Sequence, residues 1–260
     1  MLLSVCIVTH NEEANIARTL KSVSGMAHET IVVDSHSTDR TVEIAESYGA
    51  KVFTEPWKGF PGQKNSAIAK ASGKWILSLD ADEEVSPELR TSIMQLLSAP
   101  RVAAQCDGYL MARRNLYLKR WIKHGGYYPD AKLRLVKREL ASFELRPVHE
   151  DMKLKGKTSR LKGDLIHYAY PSLESFIEHA NKYSSLGAEV EARKRRVGFS
   201  LTNILLRPAV RFFYNYVIRG GFLDGREGLL VHLTHASYVS WKFSKAWEYS
   251  RDAAKKSNDS

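Results

Sequence analysis

Short apolar runs alternate with helix-forming segments through the first hundred residues, and three of the runs end on a polar cluster. Leu3–Val8 reads as a buried strand, after which Asn11 offers a cap to a helix through Val23, with Glu12 and Glu13 in its first turn. Thr30–Val33 is a second strand ending at Asp34, followed by a helix from about Asp39, which can cap it, to Tyr48. Lys51–Thr54 is a third strand and Gln63–Ala71 a helix; Trp75–Leu79 is a fourth strand ending at Asp80, and Pro87–Leu97 a fourth helix. Strand-helix alternation with short connections predicts an α/β fold built on a parallel sheet covered on both faces.

In such sheets ligands sit outside the carboxyl ends of the strands. The polar clusters fall there: Thr9-His10-Asn11-Glu12, Asp34-Ser35-His36-Ser37-Thr38-Asp39 and Asp80-Ala81-Asp82. The usual nucleotide fingerprints are missing, since the chain contains neither G-x-G-x-x-G nor G-x-x-x-x-G-K-[ST]. That disfavours a dinucleotide dehydrogenase and a P-loop NTPase. Two cysteines, Cys6 and Cys106, make no disulfide framework and no C-x-x-C metal site. Apolar runs stay below the ~18 residues of a spanning helix, and Met1 leads straight into a strand, so no signal peptide is expected.

The net charge of +10 is unevenly placed. Residues 1–100 carry 9 basic and 13 acidic side chains, whereas residues 101–260 carry 30 basic and 16 acidic. A basic back half predicts an anionic partner there: a membrane surface, a phosphorylated substrate or nucleic acid. Beyond residue 100, Gly108–Arg113, Lys132–Val136 and Leu161–His167 read as strands, and Leu173 to about Arg196 as a helix.

Two carboxylates one residue apart beyond an apolar strand, as in Asp80-Ala81-Asp82, point hard oxygen ligands at one place. Magnesium or manganese completed by phosphate oxygens suits this arrangement, and a solvated acidic turn through Glu83 and Glu84 is the bland alternative. Asp34 can accept hydrogen bonds from a ribose or a base N–H. Gln63-Lys64-Asn65, opening a helix after Gly59-Phe60-Pro61-Gly62, suits a phosphate or a base edge, or is a plain surface helix start. Arg134 either neutralises a diphosphate leaving group or belongs to an exposed strand face.

Four stretches in order and spacing carry a family resemblance: Val5-Cys-Ile-Val-Thr-His-Asn-Glu-Glu13, Ile31-Val-Val-Asp-Ser-His-Ser-Thr-Asp39, Gln63-Lys-Asn65 and Leu79-Asp-Ala-Asp82. Over about residues 1–170 the chain resembles the family 2 inverting glycosyltransferases. The resemblance implies a GT-A fold, a nucleotide-diphosphate-sugar donor, most simply a UDP-sugar, and a Mn2+ or Mg2+ ion. Carried over, it assigns Thr9, Asn11, Glu12, Asp34 and Lys64 to the nucleotide, Asp80 to the ribose and metal, and Asp82 to the metal. A late histidine completes the metal shell in related enzymes, which points to His167, although a lone histidine is more often a core or capping residue. Inverting transfer needs a base on the acceptor side. Val148-His149-Glu150 matches the lipopolysaccharide-core type and makes Glu150 the base, with Asp151 its rival.

The last third is expected to be a helical extension, residues 171–260, after a catalytic domain of residues 1–170. Between Arg193 and Arg219 lie seven basic residues and no acid. Asn203, Arg207, Arg211 and Asn215 repeat at helical spacing as a polar stripe, with Leu201, Leu205, Phe212, Phe213, Tyr216 and Val217 away from it. A basic amphipathic helix of this kind reads as an interfacial element on an anionic membrane, or as a helix packed on its own core with a solvated basic edge. Nothing resembles a nucleic-acid module. Arg207-Pro208, Phe212-Phe213, Tyr216, Arg219-Gly-Gly-Phe-Leu-Asp-Gly225 and Gly228 are similar to the tail of WaaE-like enzymes of lipopolysaccharide core assembly. That similarity implies transfer of a hexose, often glucose, to a lipid-linked saccharide at the cytoplasmic face of the inner membrane. The alternatives are a polyprenyl-phosphate glycosyltransferase and a non-catalytic nucleotide-sugar or glycan-binding module. Oligomeric state is not legible.

Overall fold

The computed structural model describes residues 2–144, 152, 154–194 and 197–258. The chain falls into two units, residues 1–114 with 130–167, and residues 115–129 with 168–260.

The first unit is built on the predicted alternation. Strands β1 (Leu3–Thr9), β2 (Glu29–Asp34), β3 (Lys51–Thr54) and β4 (Trp75–Asp80) lie parallel in the order β3-β2-β1-β4. Helices α1 (Ile16–Val23), α2 (Thr41–Ser47) and α3 (Gly59–Lys70) make the crossovers. Successive side chains of β1 serve opposite faces. Leu3, Val5 and Ile7 pack with Ile16, Leu20 and Val23 of α1, while Cys6 and Val8 pack with Ala67 and Ile68 of α3. All seven residues of β1 are buried, as a central parallel strand requires.

The other half of the sheet is antiparallel, which the alternation does not reveal. Strand β5 (Glu83–Val85) and helices α4 (Pro87–Ser98) and α5 (Pro100–Ala103) precede β6 (Gly108–Tyr117), β8 (Asp130–Lys137) and β9 (Thr158–Tyr170). The order continues β4-β8-β6-β9-β5, with β8 antiparallel to β4 and to β6, and β5 antiparallel to β9. Helix α4 begins where expected: Ser86 Oγ accepts the Leu89 N–H, Pro87 opens the first turn, and Leu89, Ile93, Leu96 and Leu97 form its buried face. Gly163, at φ +90°, lets β9 pass this turn, because a Cβ there would lie 2.3 Å from the Leu89 nitrogen.

Two helix starts differ from expectation. Helix α1 begins at Ile16, and Asn11 does not cap it. Instead Asn11 adopts φ +54°, and its side-chain oxygen accepts the N–H of Thr38 at 2.8 Å. A long-range partner thus takes the group that local pattern offers to the helix. Helix α3 begins at Gly59, a turn before Gln63.

In the second unit, β7 (Arg120–Trp121), α6 (Leu173–Lys194), α7 (Arg207–Phe213) and α8 (Gly225–Asn258) are the regular elements. Wider π-type turns, Thr202–Leu206 and Tyr214–Ile218, extend α7 on both sides. Asp224, almost fully buried, accepts the backbone N–H groups of Lys123 and His124 and faces His124 Nδ1 at 2.9 Å. Lys245 Nζ ties α8 to α6 through the Asn181 carbonyl and side-chain oxygens and the Ser184 and Ser185 hydroxyls. The stripe of Asn203, Arg207, Arg211 and Asn215 is divided, Arg207 and Arg211 being exposed. Asn203 and Asn215 are half-buried, and the Arg207 guanidinium lies 5.1 Å from the Phe243 ring of α8. Among the described residues no helix is long and apolar enough to cross a membrane.

Candidate active site

Chain order reverses between β1 and β4, so the carboxyl ends of these neighbours form the switch point at which open α/β sheets bind ligands. Val8 pairs with Asp80 in register, which brings Thr9 and the Asp80-Ala81-Asp82 turn to that point.

Asp80 is the hub of an ionic chain. Its Oδ1 lies 2.7 Å from Lys64 Nζ, and its Oδ2 accepts from Arg134 Nη2 at 2.7 Å. The same Arg134 nitrogen donates to Glu83 Oε1 at 2.6 Å. Arg113 Nη1 reaches Glu83 Oε1 at 3.5 Å, and its Nη2 pairs with Asp130 Oδ2 at 2.6 Å. Burial pushes the Asp80 carboxyl upward, but Arg134 and Lys64 outweigh it and hold the group well below the usual carboxylate range. Asp80 is therefore a fixed anion whose two oxygens each meet a protein cation. Arg134 is buried, which removes the exposed-face reading of its strand.

Asp82 is arranged differently. Its Oδ2 lies 3.2 Å from His167 Nε2, the two side chains being 23% and 17% exposed. Glu12 belongs to the same acidic neighbourhood. Burial raises its carboxyl first, its hydrogen bond from Asn15 opposes this, and the charges of Asp82, Asp39 and Asp80 raise it further. Among the described residues no group of three acidic, histidine or cysteine side chains is set to hold a metal by itself. The donor set nonetheless fits a divalent ion that takes one carboxylate and one imidazole from the protein and its other ligands from phosphate oxygens.

The candidate nucleotide contacts lie in two loops laced to each other. Asp34 is fully buried and accepts both the N–H (2.8 Å) and the hydroxyl of Ser37. Asn11 N–H donates to Ser37 Oγ and Glu12 N–H to Thr41 Oγ1, while Asp39 accepts from Glu13 and Thr41. Thr9 Oγ1 and Gln63 Oε1 are buried polar atoms without a hydrogen-bond partner, and Gln63 Nε2 donates to Ser35 Oγ at 2.8 Å. Orphaned buried polar atoms are costly, and two of them beside the switch point fit a polar ligand such as a nucleoside.

Glu150 and Asp151 lie outside the described residues. The chain on either side of them is held in place: Phe143 forms an antiparallel bridge with Met152. Asn65 binds Phe143 through both backbone groups, donating to its carbonyl at 2.9 Å and accepting its N–H at 2.8 Å. The Gln63-Lys64-Asn65 motif thus divides its work, Gln63 toward Ser35, Lys64 toward Asp80 and Asn65 toward Phe143. Sequence reasoning missed Glu83 and Arg113 as members of the ionic chain, and it named Asn65 in its motif without its partner Phe143. A charged residue alternating with apolar ones, as in Lys132-Leu-Arg134-Leu-Val136, was the available signal for buried ion pairing.

The glycosyl transferase family 2 model matches residues 4–158. A glycosyltransferase of Rickettsia felis is 36% identical over 249 residues, covering 90% of this chain and 85% of the relative. The lipopolysaccharide core biosynthesis glycosyltransferase LpsC of Rhizobium meliloti is 32% identical over 260 residues, covering 95% of this chain and 92% of the relative. The mannosyltransferase PcManGT from Pyrobaculum calidifontis, solved in complex with GDP-Man and Mn2+, superposes with a TM-score of 0.58 at 15% identity, covering 95% of this chain and 87% of that one. That likeness shows the expected GT-A fold followed by a helical region.

Proposed function

Because the chain belongs to glycosyl transferase family 2 and is a transferase, we propose that it moves a hexose, glucose foremost, from a UDP-sugar to a lipid-linked glycan of the lipopolysaccharide-core kind, with inversion at the anomeric carbon. The observation that carries this reading is the Asp80–Asp82 turn at the β1/β4 switch point, with Lys64 and Arg134 on the first carboxylate and His167 on the second. The resemblance to LpsC over nearly the whole chain supports the acceptor class.

Asp82 and His167 would hold a Mn2+ or Mg2+ ion, with Asp80 at its edge. When bound, the ion neutralises the diphosphate of the donor and of the leaving nucleotide. Asp80, kept ionised by Arg134 and Lys64, orients the ribose side. Thr9, Asn11, Glu12 and Asp34 shape the nucleoside end, where the laced loops keep their geometry before the donor arrives. Glu150 takes the proton of the acceptor hydroxyl as its oxygen attacks the anomeric carbon and the bond to the nucleoside diphosphate breaks; Asp151 is the alternative base. The protein works as a peripheral enzyme on the inner face of the inner membrane, where a lipid-linked acceptor is presented.

The test is transfer itself. Purified protein, Mn2+ and UDP-glucose should glycosylate a truncated core lipid with release of UDP, and chelator should stop it. Transfer to undecaprenyl phosphate in place of the saccharide would replace this reading by that of a polyprenyl-phosphate glycosyltransferase. Absence of transfer and of donor hydrolysis with every common nucleotide-sugar would end it.

A further inference from the structure

The helix formed by residues 201–218 carries its apolar side outward. Leu206, Val210, Phe213 and Val217, at helical spacing of four, three and four, are 58%, 58%, 56% and 41% exposed. Leu205 and Ile218 flank them at 62% and 63% exposed, and the following turn adds Phe222 and Leu223 at 51% and 57%. Large side chains this exposed, in one line and continued into the next turn, form a contiguous patch of a size that soluble monomers seldom leave open. The inward side of the helix is mixed, with Pro208 buried and Asn203, Ile204, Phe212, Asn215 and Tyr216 half-buried, so the line above is apolar surface left over after the helix has packed.

We propose that residues 201–223 form a wedge that inserts this apolar line into the interfacial layer of an anionic lipid bilayer, and that the enzyme is held there by burial of apolar surface more than by charge. Two observations select lipid over a second copy of the chain. The segment from Arg193 to Arg219 has seven basic residues and no acid, which complements anionic headgroups. A two-fold contact between copies through the same face would set those basic flanks against each other. Arg207 and Arg211 are both exposed beside the line, and Arg211 can keep its apolar stem along the patch and its head at headgroup level. The helix is short of the ~20 residues a span needs, so the element lies in the interface and does not cross it. This wedge rests on the proposed membrane-presented acceptor, because it gives the mode of attachment that such an acceptor requires.

The experiment is co-sedimentation with vesicles that contain no glycolipid, of phosphatidylethanolamine with phosphatidylglycerol and, separately, of phosphatidylcholine. Wild-type protein should bind the anionic vesicles, retain most of that binding in molar salt, and bind phosphatidylcholine measurably. Val210→Asp with Phe213→Asp should lower partitioning about tenfold or more on both lipids; the milder Phe213→Ser with Val217→Ser should lower it by a smaller factor. Arg207→Gln with Arg211→Gln should weaken binding on anionic vesicles alone. Unchanged sedimentation of the aspartate variant, or loss of wild-type binding in salt, overturns the wedge. A lipid-free dimer abolished by Val210→Asp would reassign the face to a contact between copies. Transfer to an acceptor dispersed in detergent, measured on the same variants, separates the two ideas. Transfer without vesicle binding removes the wedge and leaves the glycosyltransfer reading, whereas vesicle binding without transfer does the opposite.

Discussion

Asp82 Oδ2, in the turn between β4 and β5, and His167 Nε2, on β9, stand 3.2 Å apart. With a diphosphate beside them and no cation, like charges meet; with a divalent ion the same atoms become ligands. UDP should therefore raise the unfolding temperature in manganese and not in chelator. Asp82→Ala should remove the shift, and His167→Ala should raise the manganese concentration needed for half of it. Equal protection by UDP in chelator and in manganese would sink the metal assignment.

The Arg134 nitrogen shared by Asp80 and Glu83 gives a prediction on stability. Glu83 is fully buried and Arg134 nearly so. Removing one partner of a buried pair leaves an uncompensated charge, at a cost of about 3–5 kcal/mol. Arg134→Met should lower stability to urea by about that amount, and adding Glu83→Gln should restore part of it. A loss within the ±0.5 kcal/mol typical of surface changes would mean that the network does not hold the turn.

How far these partners were legible depends on the range of the interaction. The parallel half of the sheet follows from the period of apolar runs, and Asp80-Ala81-Asp82 announces itself at a strand end. Glu83 reads as part of an acidic turn because its partner Arg134 lies 51 residues on, in an antiparallel strand. Asn11 offers itself as a helix cap to local reasoning, yet Thr38, 27 residues away, takes its side-chain oxygen. At residues 201–218 the polar stripe and the apolar cluster of the spacing are each divided, Asn203, Asn215, Phe212 and Tyr216 turning inward and Arg207, Arg211, Phe213 and Val217 outward. Its partners lie on α8, which begins after the segment ends: Arg207 meets Phe243 and Tyr216 meets His232.

The proton acceptor is the subject of a third prediction. Glu150→Gln removes a base without removing a donor contact, so UDP-manganese affinity should stay near wild type while transfer falls by about 10²-fold or more. Asp151→Asn should be milder. Reversed severity in a single-turnover assay would assign the base to Asp151.

Acid should destabilise the second unit before it touches the carboxylates of the first. Burial, reinforced by the charges of Arg211 and His232, pushes the His235 imidazole down to about 4, and burial also lowers His232. An unfolded histidine takes its proton near 6.5, so between pH 6.5 and 4 the unfolded chain binds more protons than the folded one. Stability must then rise with pH across that window and be lost as pH falls through it, by up to about 3 kcal/mol for His235. Glu29 and Glu55 have the opposite cause and a lower window. Burial works against Glu29, but Lys51, Ser72 and Ser4 hold it at about 2, and Lys58, Lys70 and Ser66 do the same for Glu55. Their stabilisation is complete above about pH 4.5 and is lost only as pH drops toward 2. Urea midpoints followed by near-ultraviolet signal should fall between pH 6.5 and 4.5. His235→Gln keeps an acceptor for the Tyr127 hydroxyl, which lies 3.2 Å from His235 Nδ1, and cannot be protonated. The variant should flatten the slope in that window and leave the drop below pH 4 unchanged. A variant with the wild-type slope would show that His235 is not the group that titrates.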